Sequence, residues 1–269
     1  MKTLSEAAAV TALERNFAAA FKALVTPLPD GYFHDAPDLC WSLSRVPFPA
    51  FNSLFATHLD AAAADEAIAA AQARARSNGV PLLWWIAPEN TPIDLGTRLS
   101  RAGFTFSANP PAMTRELDSF EDAELSQTDE PFTIVRSEGE RAARTWHDAF
   151  AAGFSFSQVV AEAFFPLAAA AAANPTGDLS NYLLLSNDEP VATGTLLMDG
   201  AVAGIYNVAT LPSARGHGFG SAMSTHVLGE ARQRGATMAV LQSSVAGLGM
   251  YRRLGFEERF RFDQYVWRP

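Results

Sequence analysis

Val208-Ala-Thr-Leu-Pro-Ser-Ala-Arg-Gly-His-Gly-Phe-Gly-Ser-Ala-Met223 is the most informative stretch of this 269-residue chain. It begins as a strand, passes through a glycine-rich turn and enters an amphipathic helix. The N–H groups in the first turn of a helix have no intrahelical acceptor, and the helix dipole adds partial positive charge there. Glycines at 216, 218 and 220 remove the Cβ atoms that would keep a ligand away from this main chain. Such a turn suits a pyrophosphate. Two commoner phosphate motifs do not fit. No Gly-Lys-Ser/Thr follows, so this is no Walker A loop. Gly216-x-Gly218-x-Gly220 has the wrong third spacing for a dinucleotide fingerprint, and no acidic residue lies about 20 positions on in a strand.

A second stretch lies further along, Leu241-Gln-Ser-Ser-Val-Ala-Gly-Leu-Gly-Met-Tyr-Arg-Arg-Leu-Gly-Phe256. It reads as a strand ending in polar residues, then a short helix. Arg215-x-x-Gly218-x-Gly220 and Tyr251-x-x-Leu254-Gly255-Phe256 occur in this order, separated by one helix and one strand. Together they resemble the acyl-CoA loop and the adjoining core of the GNAT acetyltransferase superfamily. The resemblance implies a mixed, mostly antiparallel twisted sheet flanked by helices, in which the strand ending at Thr210 splays from the strand at 238–241. It further implies acetyl-CoA as co-substrate, no metal, and the amine of a small molecule or peptide as acceptor. By the same resemblance, Val208 and Thr210 offer backbone groups to the pantetheine arm. Arg215, Gly216, His217, Gly218, Phe219, Gly220 and Ser221 hold the pyrophosphate. Ser244, seven residues before the tyrosine, touches the cofactor, and Tyr251 returns a proton to the leaving thiolate.

The pattern departs from the family at one place. Many members carry a Glu on the strand before the glycine loop, whereas this strand reads Ala-Val-Ala-Gly-Ile-Tyr-Asn-Val, without a carboxylate. Tyr206 and Asn207 are placed to line the site or order a water, but neither is a strong base. His147, on a helix, reads as a structural residue. The missing carboxylate keeps a second class open, a non-catalytic acyl-CoA-binding sensor. A third is an aminoacyl or thiol-conjugate transferase of tandem architecture.

Composition narrows the field. Hydrophobic residues make up 48% of the chain and charged residues 18%, enough apolar content for a true core. A net charge of −9 without a basic tract disfavours nucleic acid and anionic lipid as partners. The single cysteine, Cys40, excludes a disulfide scaffold and argues against a zinc cluster; beside Trp41 it reads as a half-buried apolar residue. The segment Met1–Glu6 has an acid where a signal peptide needs an apolar core, and the alanine runs at 61–73 and 168–173 are too short to span a bilayer. The expectation is a soluble cytoplasmic protein; homodimerisation is left open.

The pattern of elements predicts an internal duplication. Strand, helix with trailing Gly-Phe, and strand recur at 82–117 and at 238–267, and helices are expected at 6–24, 61–77, 94–104, 138–151 and from Phe219 to about Arg234. The first half has no counterpart of Arg215-x-x-Gly-x-Gly. It is read as a degenerate GNAT-like domain, 1–118, joined by an acidic linker, 119–131, to the acyl-CoA-binding domain, 132–269. In the second half, Asp199-Gly200 signals a hairpin, and Ser186–Pro190 an antiparallel turn.

Overall fold

The computed structural model describes residues 6–118, 128 and 130–269; most of the acidic linker therefore lies outside the described residues. In chain order, the first half forms α1 (Glu6–Val25), β1 (Tyr32–His34), β2 (Cys40–Leu43), β3 (Ser53–Phe55), α2 (Ala61–Asn78), β4 (Leu82–Ile86), α3 (Leu95–Arg101), β5 (Thr105–Ala108) and β6 (Pro111–Glu116). The second half forms β7 (Thr133–Arg136), α4 (Gly139–Phe154), α5 (Gln158–Ala173), β8 (Leu179–Ser186), β9 (Glu189–Asp199), β10 (Val202–Thr210), α6 (Phe219–Gln233), β11 (Met238–Gln242), α7 (Leu248–Arg253), β12 (Glu257–Arg261) and β13 (Asp263–Trp267).

These strands make two mixed, mostly antiparallel sheets. One runs β1-β2-β3-β4-β13-β5, the other β12-β6-β11-β10-β9-β8-β7. Each has a single parallel step in its registers, bridged by a helix: β3 with β4 across α2, and β10 with β11 across α6. The shared plan is that of two domains of one fold. The segment after α7 divides at Phe262, which is buried, and its two strands join different sheets. β13 pairs antiparallel with both β4 and β5, while β6 lies between β11 and β12. The chain accordingly forms two compact units with non-contiguous membership: residues up to Phe17 with Met113–Glu257, and Ala18–Ala112 with Glu258–Pro269.

In the first unit the core gathers one face of the seven-stranded sheet against α6, with Tyr182, Leu184, Leu196, Ile205, Met223, Val227 and Phe256 all buried. Met223 and Val227 are core residues, as the helical pattern predicts. Gly194 of β9 lets α6 come close, since a Cβ there would stand 2.7 Å from Met223 Cγ. In the second unit, Ile68, Ala71 and Ala75 of α2 and Leu99 of α3 pack on Leu82, Trp84 and Trp267. Trp84 is wholly buried and its indole N–H donates to Thr57 Oγ1, 3.0 Å away. Cys40 is buried, with its thiol against Asp35.

Candidate active site

Strand β10 sets the geometry. It pairs with β9 from Val202↔Asp199 to Thr210↔Ala192, with the register broken between Tyr206 and Ala209. Its parallel pairing with β11 covers three positions and stops at Gly204↔Val240. From Ile205 to Thr210 the β11 side of β10 is unpaired main chain, so the strands splay. Such an edge can take an extended partner as an added strand would. Asn207, in the break, has φ +53°; Val208 beside it packs against the core, half-buried.

The glycine loop follows directly. A 3-10 turn at Pro212–Ala214 leads into Arg215, then Gly216 at φ +89° and Gly218 at φ +82°. Both glycines occupy the left-handed region that side chains avoid. Gly218 caps α6 without a side-chain hydrogen bond, and its carbonyl takes the N–H of Ala222 at 3.0 Å. Helix geometry leaves the N–H groups of Phe219 and Gly220 without an intrahelical acceptor. Phe219 anchors the turn in the core, 2% exposed. Gly220 lies close to Thr210: a Cβ there would sit 3.4 Å from Thr210 Oγ1 and from Met250 Sδ.

The corresponding helix of the other unit is built differently. At the start of α2, Asp60 accepts hydrogen bonds from the N–H groups of Ala62 and Ala63, each 2.9 Å long. A carboxylate thus caps the start of α2, whereas the N-cap of α6 is a glycine with no side chain to do so.

Other sequence-predicted residues are placed as follows. Arg215 is exposed; its guanidinium donates to Thr210 O (3.2 Å) and Gly153 O (2.9 Å), tying the loop to the ends of β10 and α4. His217 stacks on Phe219, with Nδ1 3.6 Å from Glu130 Oε1. Ser244 is exposed and its hydroxyl accepts the N–H of Gly247, shaping the turn before α7. Tyr251 is buried, and burial pushes its hydroxyl pKa up to about 12. The hydroxyl is hydrogen-bonded to Ser224, which in turn donates to Gly220 O at 2.8 Å. Tyr251 is therefore fully protonated at neutral pH and linked through one side chain to the glycine loop.

Sequence reasoning missed this Ser224 bridge, and it missed a polar ladder beside the bulge. Thr193 and Thr195 of β9 and Asn181 of β8 bond to Asn207 or to one another. Tyr206 donates to Asn16 Oδ1 at 2.8 Å, and burial raises its pKa, so it stays neutral. His147 is buried between Ala161 O and the Asp148 carboxylate, consistent with a structural role. Among the described residues no group of three His, Cys, Asp or Glu side chains is arranged to hold a metal ion. None of the described helices is long and apolar enough to cross a membrane.

A sheet thus splays beside a glycine-started helix. Residues 143–256 match the model of the acetyltransferase (GNAT) family. Solved structures similar in fold extend across both halves. A GCN5-related N-acetyltransferase from Kribbella flavida superposes with a TM-score of 0.65 at 19% identity, over 93% of this chain and 94% of that one. One from Sphaerobacter thermophilus gives 0.63 at 16%, over 99% and 95%. A tandem GNAT protein from the clavulanic acid biosynthesis pathway gives 0.59 at 11%, over 86% and 78%. At these identities the likeness is one of fold. No curated protein matches the chain in sequence.

Proposed function

We propose that the protein is a cytoplasmic N-acetyltransferase that moves the acetyl group of acetyl-CoA to the amine of a small molecule or peptide. The observation that carries this reading is the contrast between α6 and α2. One helix starts at Gly218, with no side-chain cap, beside the unpaired edge of β10, and the other is capped by the Asp60 carboxylate. The residues present fit the co-substrate. The first-turn amides of Phe219, Gly220 and Ser221, with Gly216, Gly218 and His217, receive the pyrophosphate. Arg215 holds the loop in shape, Val208 and Thr210 give main-chain groups to the pantetheine, and Ser244 borders it. In this assignment the acyl-CoA site belongs to 132–269, with 1–118 the degenerate copy and 119–131 the join.

The thioester supplies an activated acyl carbonyl. The amine nitrogen bonds to its carbon, the C–S bond breaks, and the products are an amide and CoA thiol. The proton lost by the amine passes to water, because β10 carries no carboxylate. Tyr251 supplies the proton taken by the leaving sulfur, and general acid help of this kind is worth about 10²-fold. Placement of the two reactants contributes up to roughly 7–11 kcal/mol. The missing carboxylate favours one rival, an acyl-CoA sensor without turnover. Calorimetry with CoA and acetyl-CoA, paired with thiol release across a panel of amines, decides. Binding with turnover supports the enzyme, binding alone supports the sensor, and no binding overturns both.

A further inference from the structure

Asn207 holds a left-handed backbone inside the β10 bulge, at φ +53°. Asparagine visits this region more readily than most residues, but the conformation still needs support. Three hydrogen bonds supply it. Thr193 Oγ1 donates to Asn207 O at 2.9 Å, Asn207 Nδ2 donates to Thr195 Oγ1 at 3.1 Å, and Thr195 Oγ1 donates to Asn181 Oδ1 at 2.7 Å. Thr193, Thr195 and Asn181 are all fully buried.

Stability alone does not account for this ladder. Asn181 Nδ2 at its far end is buried without an acceptor. A buried donor left unsatisfied is unfavourable, and apolar residues at 181 and 195 would avoid it. The register shows what the ladder brackets. Thr195 stands opposite Tyr206 and Asn181, and Thr193 opposite Ala209. Between them lie Asn207 and Val208, which pair with neither β9 nor β11.

We infer that Asn181, Thr195 and the Asn207 side chain, with Thr193, are positioning residues that aim the peptide N–H groups of the bulge at the carbonyl oxygen of a bound thioester. The inference rests on the reading proposed above and names how that site is held. The ladder side chains act through the backbone. A fixed N–H stabilises charge that develops on the oxygen during attack, and loss of one such donor costs about 10²–10³-fold in kcat in a well-studied protease.

The test uses Thr195→Val, which keeps the shape and removes the linking hydroxyl, together with Thr195→Ser and Asn207→Gly. Glycine retains the left-handed backbone while cutting the tether. For each protein, kcat and KM for acetyl-CoA, affinities for CoA and acetyl-CoA, and thermal midpoint are measured. The expected result for Thr195→Val is a kcat about 10- to 100-fold lower. Its CoA affinity should stay within about twofold, its preference for acetyl-CoA over CoA should shrink, and its thermal midpoint should hold or rise. Thr195→Ser should recover most of the rate, and Asn207→Gly should fall with Thr195→Val. A merely structural role would lower the midpoint and affinity together. If Thr195→Val does not fold, Asn207→Gly carries the test. Wild-type turnover with either variant at full kcat overturns the ladder and leaves the acetyltransferase standing. Wild type that transfers to no amine overturns the acetyltransferase reading, and the ladder's role with it.

Discussion

Gly218→Ala probes the loop and the helix start together. Gly218 has φ +82° and ψ −4°, where an added Cβ costs about 1–2 kcal/mol. For a domain of this size each kcal/mol moves the midpoint by about 2–4 °C. The variant should therefore melt about 2–8 °C lower. The chain can relieve the strain only by rotating the peptides that present the first-turn amides of α6. CoA affinity should then fall at least tenfold, or about 1.4 kcal/mol. Gly220→Ala is the internal control. Its φ lies outside the left-handed region and the new Cβ meets Met250 Sδ and Thr210 Oγ1 at 3.4 Å, a tight but yielding contact. Alanine is also the better helix former, by about 0.8–1 kcal/mol. That variant should keep its midpoint, while its new Cβ in the loop lowers CoA affinity without backbone strain. Melting curves and calorimetry with CoA read both. A Gly218→Ala protein that melts lower yet binds CoA as tightly as wild type would refute the link between loop conformation and binding; an unchanged midpoint would refute the strain.

Three further outcomes are expected. Tyr251→Phe should lower kcat more than it raises KM for acetyl-CoA, and an unaltered kcat in steady-state assays removes the tyrosine from the mechanism. Burial raises the pKa values of Tyr182 and Tyr251 from 10.0 to about 12. Their contribution is complete below pH 10 and disappears as pH climbs from 10 to 12, because the unfolded chain loses these protons first. Unfolding free energy should fall by up to about 1.4 kcal/mol per pH unit for each tyrosine, and denaturant titrations should show a shallower decline for Tyr251→Phe. Gly204→Ala would place a Cβ 2.0 Å from Asn16 Oδ1 and 2.3 Å from Tyr206 Cε2. It should destabilise by about 1–3 kcal/mol in urea; an unchanged midpoint would mean that Asn16 does not pack there.

Where local chemistry decides, the sequence was readable. The helix at 61–77 is observed at Ala61–Asn78, ended by Gly79 at φ +65°. The turn between β8 and β9 places Asn187 and Asp188 at φ 51° and 63°, residues that tolerate that region. Gly216 and Gly218 have positive φ in the loop quoted first. Strands β1, β3 and β5 escaped because three or four residues beside prolines carry too little periodicity. The destinations of β6 and β13 escaped because pairing partners far apart in sequence leave no local mark. Arg215 was expected in the pyrophosphate loop by resemblance; that its guanidinium also meets two carbonyls is a geometry that only the folded chain brings together. The ladder left one faint trace, Thr193-x-Thr195 in an otherwise apolar strand. Its partner Asn181 lies a strand away, and polar alternation ordinarily marks a solvent face.

The placement of β13 bears on how the polypeptide is made. The gap between β4 and β5 is filled by residues 263–267, which are translated more than 150 positions after β5. During synthesis the earlier portion must wait with two bare edges until this late segment leaves the ribosome, and such edges invite wrong pairing. A stop codon at position 263 would thus strike hardest at the portion made first.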